Sequence, residues 1–283
     1  MVKRHRFVRQ LALLWLSGSC ALEGLACSSF ASENDRAAAD LGVEPSLPVS
    51  SAWDCTTNTN TEVRDPFVYS EATSLALSIQ VIDIFTRSVP PNLKVRACLI
   101  TDLECERPIS ADLSADADGI VTVPLAVGVS GFLELTADGV APEVFVLPGP
   151  LSLELVTLLR SRPLILVSTG DAGSTLPIRA QATPDTGILT ITVFDCDGKG
   201  AAGVRLEVDA QTVPYSIIDG LPILNERTTT SNAVVGFINV MPGVTVVRGY
   251  RADTGQIVGR VAVPVRAGWD TLAYMLPEPG LVP

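Results

Sequence analysis

The sequence predicts an all-β protein: two tandem antiparallel sandwiches joined by an apolar connecting segment. Three observations carry this expectation. From about residue 74 the apolar runs are short, β-branched and largely alternating, as in "LALSIQVIDIF", "LKVRACLI" and "GIVTVPL", and a period of two marks strands buried on one face. Gly and Pro recur between these runs at the spacing of sandwich strands. The runs also form two similar sets, one from Ser74 and one from Gly187, which reads as an internal duplication.

The amino end, "MVKRHRFVRQLALLWLSGSCALEGLACSS", places Lys3, Arg4, Arg6 and Arg9 ahead of an apolar run from Leu11 to about Leu22. This is the form of an export signal, and the run is short for a membrane span. Residues 1–26 are therefore expected to be a signal peptide, and two processing routes compete. Gly24-Leu-Ala-Cys27 is similar to a bacterial lipobox, with Gly24 where leucine is usual, and makes Cys27 the lipidation site. Ser29-Phe-Ala31 would serve ordinary signal peptidase. The polar segment 27–52 has the composition of a flexible tether, which favours the lipoprotein. The expected location is the cell envelope, as an outer-membrane lipoprotein, or the exterior as a secreted protein, with the membrane met only through a lipid anchor.

Beyond Cys27, the cysteines are Cys55, Cys98, Cys105 and Cys196. Four cysteines in an oxidising compartment predict two disulfides, for which three connectivities exist. Cys98 and Cys105 flank the short acidic loop "LITDLE", which favours pairing them and leaves Cys55 for Cys196. A cysteine metal site is the rival reading, supported by neither a C-x-x-C spacing nor a partner histidine.

The first sandwich is assigned to 53–147 and the second to 187–283. Ile79-Gln-Val-Ile-Asp83 matches Ile191-Thr-Val-Phe-Asp195, and Leu93-Lys-Val95 matches Val204-Arg-Leu206. Between them, 148–186 changes texture, from "LSLELVTLLRSRPLILVSTGD" to "AGSTLPIRAQATPDTG". It is expected to form a short helix or an extra strand over a sandwich edge. Its apolar content argues against a free linker.

Within "DCDGKGAAGVRLEV" the glycines spell G-x-G-x-x-G. A dinucleotide fingerprint needs a helix to open after the last glycine, so that its N–H groups hold the pyrophosphate. Val204 to Asp209 alternates apolar with charged residues instead, which makes this a strand-to-strand turn with no cofactor.

These residues carry a resemblance. The pattern V-x-V-x-D-x-x-G-x-x-x-x-G-V-x-L-x-V over Ile191 to Val208, followed by Val235-Gly-Phe-Ile-Asn-Val240 and Pro242-Gly243, resembles the carboxypeptidase regulatory-like domain, a transthyretin-like, Ig-like sandwich. The first unit resembles a divergent member through Val81-Ile-Asp83, Ala115-Asp-Ala-Asp-Gly119 and Gly131-Phe-Leu-Glu-Leu135. It departs from the pattern at Pro90-Pro91-Asn92, and its Cys98 shares the polar-facing register of Lys94 and Arg96. Together the units cover about Ser74 to Pro277. With the signal and "WDC" at Trp53 to Cys55, the arrangement is similar to exported bacterial lipoproteins. The resemblance implies an accessory, adhesive or structural role and no particular activity.

Composition removes most chemistry. The only histidine is His5, inside the signal, which excludes Ser-His-Asp and Cys-His sites and histidine-bearing zinc sites in the mature protein. Lys94 and Lys199 are the lysines beyond the signal; neither lies in S-x-x-K, and G-x-S-x-G is absent. Asp116-Ala-Asp118-Gly119 and Asp195-Cys-Asp197-Gly198 both read D-x-D-G, but neither continues into a full calcium loop. Aspartate closing a tight turn, with glycine at positive φ, is the expected reading. Trp53 and Trp269 are expected as strand-end core residues rather than sugar-stacking platforms.

The formal charge of −11, which becomes more negative once the basic signal is lost, argues against nucleic acid and anionic lipid as partners. The expectation is a non-catalytic envelope or surface lipoprotein that binds protein or polysaccharide through sandwich loops or strand edges, without cofactor or metal. The alternative is a carboxylate-dependent glycoside hydrolase or a calcium-stabilised carbohydrate-binding protein.

Overall fold

The computed structural model describes residues 51–57, 74–83, 85–160, 164–166, 177–218 and 221–278. The signal, Cys27 and the 27–50 part of the tether lie outside the described residues. The all-β expectation holds. Among the described residues, fifteen strands are accompanied by a 3-10 turn at Ser51–Trp53 and three short helices: α1 (Asp54–Thr57), α2 (Leu153–Arg160) and α3 (Pro177–Ala180).

The first strand, β1 (Ser74–Asp83), alternates as its sequence predicts and buries Leu77, Ile79 and Val81. It pairs antiparallel with β4 (Ile120–Ala126) and parallel with β7 (Leu164–Leu166). The facing layer runs β6-β5-β2-β3, formed by β6 (Glu143–Val146), β5 (Gly131–Thr136), β2 (Lys94–Leu99) and β3 (Leu113–Ser114). The second half repeats the plan. There β8 (Gly187–Val193) lies between antiparallel β12 (Val234–Val240) and parallel β15 (Asp270–Met275). Its facing layer runs β14 (Ile257–Val265), β13 (Gly243–Arg251), β9 (Val204–Val208). The duplication read in the sequence thus reappears as topology, with β1, β2, β4, β5, β6 and β7 corresponding to β8, β9, β12, β13, β14 and β15. The second half adds a hairpin, β10 (Val213–Ile218) and β11 (Leu221–Leu224), beside β12.

One pairing joins the halves. β15 of the second half pairs parallel with β6 of the first, from Asp270 opposite Glu143 to Ala273 opposite Val146. The result is a continuous nine-stranded sheet, β11-β10-β12-β8-β15-β6-β5-β2-β3. Because side chains alternate across a strand, the sheet gives one face to each core. Ile191, Val193, Ala273 and Met275 share a face and a core with β9, β13 and β14, while Phe145, Leu133 and Leu135 point to the other face and the core with β1, β4 and β7. The two three-stranded sheets therefore lie on opposite faces of the long one. Tyr274 stitches this seam, meeting the rings of Phe145 and Phe194 edge-on at 5.2 and 5.1 Å.

One edge strand of each sheet carries a proline: Pro124 on β4, Pro222 on β11 and Pro264 on β14. Asn225 N–H donates to Pro214 O, and Ile217 stands opposite Pro222. Since bonded and non-bonded pairs alternate in an antiparallel ladder, the Pro222 nitrogen points away from β10. An incoming strand would find no N–H there.

Candidate functional site

An ionic cluster lies on each face of the long sheet, and each joins the two halves. On the first, Arg266 leaves the end of β14 and reaches across onto β5. Its guanidinium donates from Nη1 to Glu134 Oε1 and from Nε to Leu103 O at 2.7 Å, and it lies over the rings of Trp269 and Phe132, 5.0 and 5.3 Å from their centroids. The second Glu134 oxygen accepts from Arg96. A buried carboxylate that keeps its charge needs such compensation, because desolvation costs several kcal/mol per ion.

The Leu103 carbonyl sits in the loop closed by Cys98 and Cys105, so this disulfide fixes the acceptor that Arg266 uses. Asp102 closes the same loop: its carboxylate accepts from Arg107 and Glu106 N–H, and the Arg107 bond above all holds it below the ordinary range. Cys98 was expected on a polar face with Lys94 and Arg96, yet it is fully buried and belongs to the core that includes Trp53 and Phe132. The disulfide-closed loop and Arg266 cover that face. The sulfurs of Cys98 and Cys105 and a Glu134 oxygen come within 4.8 Å of one another. As a metal donor set they fit poorly, since the sulfurs are bonded together and the carboxylate serves two guanidinium groups. Lys94, Asp112 and Thr136, with Arg96 and Glu134 of this cluster, line a groove of about 170 Å³.

On the opposite face Asp270, which opens β15, stands across from Glu143, which opens β6. Arg179 of α3 bonds Asp270 Oδ2. Glu143 is 2% exposed and its Oε1 has no hydrogen-bond partner. Burial pushes its carboxyl well above the ordinary range; the charge of Asp270 adds to this and that of Arg179 opposes it. Burial likewise pushes Asp270 up to about 6, against the pull of Arg179. Beside them the Tyr215 hydroxyl, raised mainly by burial, shares a 2.6 Å hydrogen bond with Thr190. Sequence reasoning singled out none of Glu134, Glu143, Arg179, Arg266 or Asp270 as site residues. The available signal was a glutamate inside each of two almost wholly apolar runs, "GFLELT" and "PEVFVLP".

The residues that were singled out fall elsewhere. Cys55 is joined to Cys196 and Cys98 to Cys105, with Cα separations of 5.9 and 5.4 Å, which is the favoured pairing. Cys27 lies outside the described residues. Asp116 and Asp195 each accept two backbone N–H bonds within their turns, and Gly119, Gly198 and Gly203 have φ of 78°, 72° and 74°. The G-x-G-x-x-G segment therefore joins β8 to β9 and opens no helix. Trp53 is buried in the core of the second half, and Trp269 packs on Arg266. Lys94 donates to Ser114 Oγ, and Lys199 pairs with Asp197.

No family model matches the chain, and no curated protein matches it. Solved structures that match include the shaft pilin SpaA of Lactobacillus rhamnosus GG, at 10% identity over 75% of this chain and 100% of that one, with a TM-score of 0.21. The Streptococcal ancillary pilin matches at 13% identity over 72% and 69%, with a TM-score of 0.23. A C-terminal fragment of the pilus adhesin SpaC from Lactobacillus rhamnosus GG matches at 11% over 73% and 100%, with a TM-score of 0.19. At such values nothing about this chain is argued from the likeness.

Proposed function

We propose that the chain is a non-catalytic, exported surface module of the carboxypeptidase regulatory-like type, anchored in the cell envelope through Cys27, whose loops engage an envelope protein or polysaccharide. The observation that carries this reading is where the charged groups are engaged. The aspartates of both D-x-D-G turns hold backbone N–H groups, Glu134 and Asp270 are paired with arginines, and Glu143 is buried beside Asp270. The Cys55–Cys196 disulfide and the Arg266–Glu134 and Arg179–Asp270 ion pairs each tie together residues far apart in sequence. The strand-turn-strand geometry of Ile191 to Val208 supports the regulatory-like assignment. The prolines on β4, β11 and β14 favour loops over strand edges as the contact surface.

Palmitate labelling of the full chain, with fractionation, tests the anchor. Labelled, membrane-associated protein that Cys27→Ser releases is expected; unlabelled mature protein beginning at Ser32 overturns it. Incubation with envelope polysaccharide tests the rest. Retention without new reducing ends is expected, whereas release of reducing sugar that Asp270→Asn abolishes would make the protein a carboxylate-dependent hydrolase.

A further inference from the structure

The second ionic cluster holds more acid than base. Glu143 and Asp270 are register partners on neighbouring strands, a spacing of about 4.8 Å. One guanidinium, Arg179, serves both and is bonded to Asp270. Glu143 is left buried with an unpartnered oxygen. Among the described residues its surroundings offer no second cation: Leu135 of β5 stands opposite it, Ile188 of β8 stands opposite Asp270, and the Tyr215 hydroxyl of β10 is engaged with Thr190. Among the described residues, the charges that act on Glu143 are those of Asp270 and Arg179.

The position of the cluster gives its titration a consequence. β6 belongs to the first half, β15 to the second, and α3 to the segment between them. A change of charge here acts on the strand pair that makes the long sheet continuous. We propose that this seam is a proton-sensitive latch: a proton held by Glu143 keeps the two halves joined, and its loss sets two buried carboxylates against one guanidinium and loosens β6 from β15.

Both carboxyls lie above their ordinary values of 4.5 for Glu143 and 3.8 for Asp270. The folded chain therefore binds protons that the unfolded chain has released. The stabilisation is complete below those ordinary values and is lost as pH rises, through about 6 for Asp270 and well above the ordinary glutamate range for Glu143. Asp102 and Asp253, held below their ordinary values, respond with the opposite sign at lower pH. The latch is independent of the proposed surface role.

Hydrogen exchange on the full chain, compared at about pH 5 and about pH 8 after correction for intrinsic rates, is the direct test. Protection of the Asp270 and Leu272 amides should fall more than that of the β13–β14 amides; equal change in both places overturns the latch without any variant. Melting curves add a charge-specific readout. Each proton taken up on folding makes the unfolding constant rise by up to about tenfold per pH unit, and Glu143→Gln should remove one such dependence. Asp270→Asn, which relieves the same repulsion, should also flatten the profile, whereas exposed Asp253→Asn should not. Wild-type steepness in both seam variants overturns the proposal.

Discussion

Asp116 and Asp195 use the same oxygen in the same way: each Oδ1 accepts from the backbone N–H two residues on, at 3.0 Å, and four residues on, at 2.8 Å. They stand at different places in the duplicated plan, one before β4 and one after β8. Asp83, which corresponds to Asp195, instead takes Phe85 and Thr86 N–H. The D-x-D-G string is thus a turn device that recurs because a short carboxylate reaches its own following amides.

An amide oxygen serves this turn as well as a carboxylate does. Asp116→Asn and Asp195→Asn should leave the melting temperature unchanged, while the alanine variants should each lower it by roughly 2 to 4 °C. Millimolar calcium should shift none of them. A calcium-dependent rise lost in the asparagine variants would show that the carboxylates bind the ion.

The glycines separate strain from crowding. A Cβ at Gly198 or Gly203 meets nothing within 4 Å, so alanine there should cost about 1 to 2 kcal/mol through positive φ alone. A Cβ at Gly236 would lie 2.2 Å from the Tyr215 ring. Gly236→Ala should therefore displace that ring from Thr190 and cost about 2 to 3 kcal/mol in urea unfolding. Calorimetry with NAD should give no binding heat; binding that Gly198→Ala removes without loss of stability would restore the nucleotide reading.

Removing Arg266 leaves Glu134 with Arg96 alone, beneath the strands. Arg266→Met should cost about 3 kcal/mol. Adding Glu134→Gln should recover a large part of it, because the uncompensated charge goes with the second change. Equal instability of the single and double variants in denaturant titrations would assign the loss to packing on Phe132 and Trp269 instead.

The two disulfides span 7 and 141 residues. Loop-closure entropy alone gives about 2.5 kcal/mol for Cys98–Cys105 and about 5 kcal/mol for Cys55–Cys196. Cys55→Ser with Cys196→Ser should therefore be the more damaging pair. The reverse order in melting experiments would mean that anchoring Leu103 for Arg266 outweighs chain entropy.

The pairing of Cys98 with Cys105 was legible because the two flank one short loop, and Val204 to Val208 because its alternation is unbroken. The connecting segment yielded both elements considered for it, helix α2 and strand β7, but its apolar run did not disclose the parallel partnership with β1. The β10–β11 hairpin escaped because "VPYSII" and "LPIL" carry prolines that usually argue against strands; Pro222 is tolerated where its nitrogen faces away from β10, and Pro214 at the end of the ladder, where its carbonyl still accepts from Asn225. The seam clusters were the least legible. Glu143 meets Asp270 across 127 positions of sequence, and nothing local in "PEVFV" names its partner. Long-range register is set by packing of whole faces, which period-two patterns leave open.

The bond between Cys55 and Cys196 also sets how the body carries mechanical load. Every strand of the first half, from Ser74 to Leu166, lies inside the covalent loop between these two cysteines. Tension applied ahead of Cys55 and drawn out beyond Met275 crosses the sulfur bridge directly into the turn between β8 and β9. The covalent path bypasses the first sandwich, and β15, held between β8 of the second half and β6 of the first, bears the pull.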